Sequence, residues 1–551
     1  MAAPSTLHPS STPHATERSP LLDHESSNVI EDVETRIPRN HSDVTLAQSP
    51  GTLKLLLIMS SCWFGCFLAA LDSTIVATLG APIATSFQSF TLLSWIAASY
   101  LIANAAFTPL SGKLTDIFGR RAGLISCNAL FFTGNLICGL AKTPEVMIFG
   151  RVIQGLGGGG INSISTFIAS DLIPLRQRGL WQGIGNLCWG LGSGLGGVYG
   201  GWINDLMGWR WAFLIQCPCI AISAVLVFFN VHIPVKEKDV SRIKRVDFLG
   251  SFLLVASLVL LLMGLNSGGN TVPWSHPLVI SSIIASVVTL CIFVYVEDQV
   301  APEPIIPVRL LLNRTVAAAC LTNWFQSMAQ YGILYYVPIY FQVNGMSATR
   351  AGARLVPQAF GTAIGGMLAG YGMRITGRYY ALMMSSEASR LMALILIAVT
   401  LVPGSPMWPP FIYLFITGTS YTVMLVITLL ALIAAVDHEH QAVITSASYA
   451  CRATGSTIGI TIASAVFQNI LKSELWRTFG DQPGAADEIG RIRDSVDEIK
   501  SLPIGWYPGV LDSYVTAFRS VWWTCAGLAV LGMVSSAFMR EHKLHATLER
   551  K

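Results

Sequence analysis

The chain has 551 residues, of which 52% are hydrophobic and only 12% charged, and its mean hydropathy is +0.56. Water-soluble domains carry about 25% charged residues, so a soluble enzyme or scaffold is excluded and a polytopic membrane protein is indicated. The net charge of +4 is dispersed over short loops, which speaks against a nucleic-acid partner.

Residues 1–50 are rich in Ser, Thr, Pro, His and acidic side chains and lack apolar periodicity, so a disordered tail is expected. No apolar segment follows a basic start, hence no cleavable signal peptide is expected. Within the tail, Glu17 followed by Leu21 and Leu22 resembles the acidic dileucine signals that sorting adaptors read on the way to vacuoles or lysosomes; the alternative is plain disorder.

Crossing ~30 Å of hydrocarbon takes about 20 apolar residues. Stretches of that kind lie at 55–79, 92–111, 122–141, 145–170, 180–203, 210–231, 247–267, 277–297, 315–341, 352–372, 381–403, 409–435, 442–470 and 514–539, about fourteen helices. The span 381–403 is the least regular, because it begins with Ser385, Ser386, Glu387 and Arg390.

Between the second and third spans, residues 112–121 pack Lys113, Asp116, Arg120 and Arg121 into what reads as a short charged turn. Basic residues of short loops gather on its side of the membrane, among them Arg176, Arg178, Lys236, Lys238, Arg309, Arg314, Arg374 and Arg378. The other side has Lys142, Arg210 and Arg350, so the first side is expected to be cytoplasmic, with both termini there. The long connection 472–513 falls opposite. In it Ile489, Ile492, Val496, Ile499 and Leu502 recur every three to four residues, a pattern that suggests an amphipathic helix on the membrane surface, with a surface cap without transport chemistry as the alternative.

Eleven cysteines are present, most of them inside apolar runs. With Cys217-Pro-Cys219 as the only close pair and no Cys/His group at zinc-ligand spacing, they read as small buried hydrophobes, and neither a metal nor another cofactor is expected. Phosphate-loop, Gly-x-Ser-x-Gly and His-Glu-x-x-His patterns are missing too, so the chain reads as neither a nucleotide-driven pump nor a hydrolase. Any transport must then draw on a gradient.

A charge at mid-bilayer costs roughly 2.5–3.5 kcal/mol on insertion scales, which makes the exceptions informative. Asp72 sits inside the first span, where a carboxylate can bind a proton or attract a cation, or else staple the helix to a neighbour by hydrogen bonding. Arg151 opens the fourth span and, being permanently protonated, can tune a nearby carboxylate; snorkelling to the interface is its alternative. Gln154 follows one helical turn later. Glycine stripes at four-residue spacing, Gly155 and Gly159 on the fourth span and Gly190, Gly194, Gly196, Gly200 and Gly201 on the fifth, allow close helix contact.

These features together resemble a known family. The turn Gly112-Lys-Leu-Thr-Asp116-Ile-Phe-Gly119-Arg120-Arg121 looks like the signature between helices two and three of the major facilitator superfamily. Arg151 with Gln154 and Gly155 matches its fourth-helix motif, and Gly190 to Gly201 resembles the fifth-helix antiporter motif, with Gly196-Gly197 where that motif usually has Gly-Pro. The sequence around Asp72 with Pro82, the Trp209-Arg210-Trp211 segment and the span count resemble the fourteen-span drug:proton antiporter branch. More narrowly, residues 170–179 and 434–442 look like fungal vacuolar basic amino acid transporters.

The resemblance implies an all-α fold of two six-helix bundles, 51–235 and 314–540, around two inserted helices in 236–313, with short cytoplasmic tails 1–50 and 541–551. It implies a conformational latch at Gly112, Asp116, Gly119, Arg120 and Arg121, echoed by Gly377 and Arg378. Asn323, Trp324, Gln326, Gln330, Tyr331 and Tyr335 would line the cavity opposite Asp72, and Asp72, Arg151 and Gln154 would couple protons to substrate. The partners implied are protons, a small cationic solute and the bilayer, for a monomer in the vacuolar membrane or, alternatively, a drug, toxin or siderophore exporter in the plasma membrane.

Overall fold

The structure, a computed structural model, describes residues 52–88, 92–173, 175–232, 247–268, 272–301, 310–376, 378–402, 404, 406, 408–436, 441–482, 484–494, 496–503 and 505–541. Two compact units divide the chain, residues 1–49 and 50–551, and every described residue belongs to the second.

That unit is all-α. In order the helices are α1 (Thr52–Ser86), α2 (Leu92–Phe118), α3 (Arg120–Leu140), α4 (Pro144–Leu172), α5 (Leu175–Met207), α6 (Trp209–Leu214), α7 (Gln216–Asn230), α8 (Phe248–Ser267) and α9 (Pro277–Gln299). They continue with α10 (Arg314–Val343), α11 (Ala348–Ala353), α12 (Val356–Thr376), α13 (Tyr380–Thr400), α14 (Pro409–Ala435), α15 (Gln441–Phe479), α16 (Ala485–Asp494) and α17 (Tyr507–Ala537). Each stretch expected to span falls on a helix of this series, 210–231 being divided between α6 and α7 and 352–372 starting at the end of α11. Among the described residues, 8 helices are both long and apolar enough to cross a membrane: α1, α3, α6 with α7, α8, α9, α13, α14 and α17. The others of spanning length are α2, α4, α5, α10, α12 and α15, so eight of the expected fourteen spans meet that criterion among the described residues.

Helix ends follow local chemistry. Pro144, Pro277 and Pro409 open their helices, where a missing N–H costs nothing. Asp247 and Asn313 cap α8 and α10 by accepting from the backbone N–H of Gly250 at 2.7 Å and of Thr315 at 3.0 Å. The charged segment 112–121 departs from the expected turn: α2 runs on to Phe118 and α3 starts at Arg120, so only Gly119 breaks the helix. Its φ of 91° lies in the region that glycine alone adopts freely, and one such residue suffices to reverse the chain.

Packing repeats. α1 lies against α5 and α7, α4 against α2 and α3, and α3 against α7; in the same order α10 lies against α15 and α17, α14 against α12 and α13, and α13 against α17. These are two six-helix bundles, with α8 and α9 packed on each other and α8 on α2 and α15. The bundles meet through α5 with α11 and α12, α2 with α15, and α1 with α10. Gln342 donates to the Thr78 carbonyl at 3.0 Å and the Thr349 hydroxyl meets Asp205 at 2.5 Å, both at the end remote from Gly119.

The apolar side chains of the amphipathic segment turn inward. Ile489, Ile492 and Ile499 are buried, and they pack with Phe479, Trp506 and Tyr514, whose hydroxyl donates to the Ile492 carbonyl at 2.7 Å. The apolar face covers protein, not lipid. Because α15 extends to Phe479 and α17 starts at Tyr507, the connection is short enough to be tied back over both helices.

Candidate functional site

Glycines set the spacing around the site. A Cβ on Gly155 would lie 2.3 Å from the Tyr100 carbonyl oxygen, and one on Gly134 would lie 2.5 Å from the Gln154 backbone nitrogen, so α4 is drawn in tightly against α2 and α3. On α5, a Cβ on Gly196 would lie 2.3 Å from the Leu71 carbonyl oxygen, so its absence lets that helix close on α1 one residue from Asp72. Gly159 and Gly200 continue those two contacts, against Asn104 and Ile75. Gly190, Gly194 and Gly201 turn instead to the other bundle, toward Ala363, Ala359 and Ala348.

Close approach of three helices buries a charged cluster. Asp72, Arg151 and Gln154 are each 0% exposed. Arg151 NH1 donates to Asp72 Oδ2 at 2.8 Å and Gln154 Nε2 donates to Asp72 Oδ1 at 2.7 Å, so both carboxylate oxygens have a donor. NH1 also reaches the Gln154 side-chain oxygen, and Arg151 Nε donates to the Ile96 carbonyl at 3.4 Å. The guanidinium carbon sits 4.3 Å from the centre of the Tyr100 ring, a cation–π contact that the sequence did not signal. What remains is one unspent donor, Arg151 NH2, with no partner among the described residues.

Chemically this is a carboxylate whose charge is fully offset. An isolated ion here would cost several kcal/mol, and the fixed arginine and amide offset that cost.

The other expected residues divide into groups. Tyr331 and Tyr335 stack on α10 at 6.5 Å between ring centres, and Tyr335 is buried. Asn323 turns inward to its own bundle, donating to Ser448 at 3.2 Å and accepting from Thr428 at 3.3 Å. Trp324 is half-buried on α10, where its carbonyl faces Gly455 of α15. At the α2–α3 break, Arg120 pairs with Asp171 at 3.0 Å and donates to Thr115 at 2.7 Å, while Arg121 lies over Phe228 at 4.3 Å. Gly112 and Asp116 belong to α2, but their side chains, like Glu17, Leu21, Leu22 and Gly377, lie outside the described residues, and Arg378 is exposed.

A second cluster was hidden in the least regular span. Glu387 and Arg390 are each 1% exposed, and Gln326 of α10 is fully buried beside them. The Gln326 amide donates to Glu387 Oε2 and to the Ala529 carbonyl, the latter at 3.2 Å. Arg390 NH2 donates to the Gln326 carbonyl at 2.9 Å and to Gln330 Oε1 at 3.3 Å, and its guanidinium lies 5.1 Å from the Tyr421 ring centre. Gln326 and Gln330 therefore serve this cluster. The signal was available, since two charges within an apolar run are as costly here as at Asp72.

Comparison with known proteins follows from this geometry. A family model described as Major Facilitator Superfamily matches residues 62–460. Multidrug resistance protein fnx1 of Schizosaccharomyces pombe is 38% identical over 501 residues, covering 90% of this chain and 94% of that protein. Vacuolar membrane amino acid uptake transporter fnx2 of the same organism is 32% identical over 509 residues, covering 92% and 88%. Vacuolar basic amino acid transporter 1 of Saccharomyces cerevisiae is 29% identical over 528 residues, covering 88% and 92%. Among solved structures, a bacterial homologue of the human lysosomal transporter Spinster, inward-facing and unoccupied, superimposes with a TM-score of 0.61 at 14% identity, covering 89% of this chain and 98% of that one.

Proposed function

The chain belongs to the major facilitator superfamily, a family of transporters and not of enzymes, and from that premise we propose that it is a proton-coupled exporter carrying small cationic solutes, basic amino acids above all, from cytosol into the vacuole. The observation that carries this reading is the buried carboxylate of Asp72, held by Arg151 and Gln154 from another helix. A cationic substrate on the cytosolic side displaces Arg151 from Asp72. On the acidic lumenal side a proton takes the carboxylate, releases the substrate and lets the bundles return. Two relatives named as vacuolar amino acid transporters support the choice of cargo and membrane.

Further parts of the reading follow. The bundles span 51–235 and 314–540, with the inserted pair in 236–313 and both termini in the cytoplasm. Arg120, Arg121, Asp116 and the glycines beside them latch the cytoplasmic face, Glu17 with Leu21 and Leu22 recruits a sorting adaptor, and the protein works as a monomer. Asp72→Asn is expected to abolish proton-driven uptake of lysine and arginine into vacuolar vesicles while protein level and sorting stay normal. Unchanged uptake in that variant would remove Asp72 from the mechanism.

A second reading has its own support, since the relative 38% identical to this chain is named a multidrug resistance protein. In that case the chain exports drugs or toxins across the plasma membrane. A fluorescent fusion at the cell surface instead of the vacuolar rim, with drug sensitivity on deletion, would select it.

A further inference from the structure

The cluster on α13 holds its carboxyl differently from the one at Asp72. Glu387 Oε2 receives a single neutral amide, from Gln326, and Oε1 has no partner among the described residues. No ion pair joins Glu387 to Arg390 among the described residues, although at i and i+3 they share one helix face. Arg390 instead spends NH2 on α10, leaving Nε and NH1 without partners.

Burying a carboxylate with one amide donor and no cation in contact is far costlier than burying the neutral acid. Charged and titratable neighbours are few. Arg390 is on the same helix, Tyr421 comes from α14, and Cys525 of α17 lies near Arg390. Arg519 of α17 meets α13 further along, at the Ala398 carbonyl, and from α10 the amides Gln326 and Gln330 reach the cluster, with Tyr331 and Tyr336 on the same helix. Tyr371 of α12 is 66% exposed.

We propose that Glu387 is a second proton-binding carboxyl, protonated in the conformation seen here and discharged toward Arg390 when the second bundle rearranges. In that step the carboxyl O–H bond breaks, its electron pair stays on the oxygen and the proton leaves to water. Arg390 exchanges Gln330 Oε1 for the new carboxylate, and nothing is oxidised or reduced. Arg390 is the positioning residue, since its reach sets how readily the proton leaves.

Infrared difference spectroscopy on the full chain in phosphatidylcholine vesicles, comparing acidic with alkaline buffer, tests this without any substrate. It is therefore indifferent to which cargo is carried. Beside the bands of the exposed carboxyls, wild type is expected to show a further protonated-carboxyl C=O band that disappears as pH rises, and Glu387→Gln to lose that further band while Asp72→Asn keeps it. Arg390→Gln should move the midpoint of disappearance up by about 1–3 pH units, because a cation near the acid favours its ionised form. Absence of a pH-dependent band in wild type, or its persistence in Glu387→Gln, would overturn the proposal. If Glu387→Gln does not fold, the Arg390→Gln midpoint decides alone, and an unmoved midpoint would equally overturn it.

Discussion

The two bundles use the same ingredients, one carboxylate, one arginine and buried glutamines, and assemble them in opposite ways. In the first, acid and base come from different helices, α1 and α4, and meet at 2.8 Å with both carboxylate oxygens occupied. In the second they come from one helix, and the arginine reaches past its acid to α10. Arrangement across helices yields a charged pair that ties the bundle together, whereas arrangement along one helix leaves an acid whose charge depends on where its arginine points. The lesson is that burial alone does not set the state of an intramembrane carboxyl; the helix that carries its counter-charge does.

The largest expected difference lies in removing each arginine. Arg151→Ala leaves Asp72 as an uncompensated buried charge and should cost about 3–5 kcal/mol of stability. Arg390→Ala removes hydrogen bonds to Gln326 and Gln330 but strands no second charge, for about 1–3 kcal/mol. Denaturation of the purified variants in detergent measures both, and equal losses would erase the distinction drawn here.

Next in size is coupling within each pair. A double-mutant cycle of Asp72→Asn with Arg151→Gln should return an interaction energy of about 1–3 kcal/mol, while Glu387→Gln with Arg390→Gln in mildly acidic buffer should return less than about 0.5 kcal/mol. A strong coupling in the second cycle would mean that Glu387 is ionised in the resting protein.

Glycine contacts sharpen the comparison from the packing side. A Cβ at Gly196 would lie 2.1 Å from Thr74 Oγ1 and 2.3 Å from the Leu71 carbonyl, so Gly196→Ala must push α5 off α1 beside Asp72, at about 1–3 kcal/mol. Gly370 on α12 has nothing within 4 Å of such a Cβ, and there alanine should be neutral or stabilise by about 0.5–1 kcal/mol. Thermal melts of the two variants would expose an error in this assignment of glycine roles.

Much of this was legible in the sequence because apolar length and isolated charge are strong signals in a membrane. Asp72 and Arg151 stood out as single charges inside apolar runs, and Gln154 followed from the helical repeat. Glu387 carried the same signal, yet its company of Ser385, Ser386 and Arg390 at the start of a run reads equally well as a weak helix end. The start of α13 at Tyr380, one residue before the expected span, puts Glu387 about two turns inside, and its partners on α10 are what the sequence did not show. Residues 112–118 read as a turn because charge density resembles a loop, while a helix that projects past the apolar region tolerates the same charges. The direction of the 485–500 face was not legible, since amphipathicity records that a face is buried and not against what.

The smallest expected effect concerns the same chemistry as the first. Arg120 and Asp171 meet at 3.0 Å, nearly the distance of the Arg151–Asp72 pair, but their side chains are 14% and 37% exposed instead of 0%. Water and salt screen such a pair, so Asp171→Asn should change stability by only about 0.2–1 kcal/mol. That loss should shrink as ionic strength rises, because exposed charges are screened within about 10 Å at 0.1 M salt. The Arg151→Ala loss should be insensitive to salt. Salt titrations of the two variants therefore separate geometry from environment: similar salt dependence in both would show that solvent reaches the Asp72 cluster, and the distinction between a sealed first bundle and a titrating second one would fail.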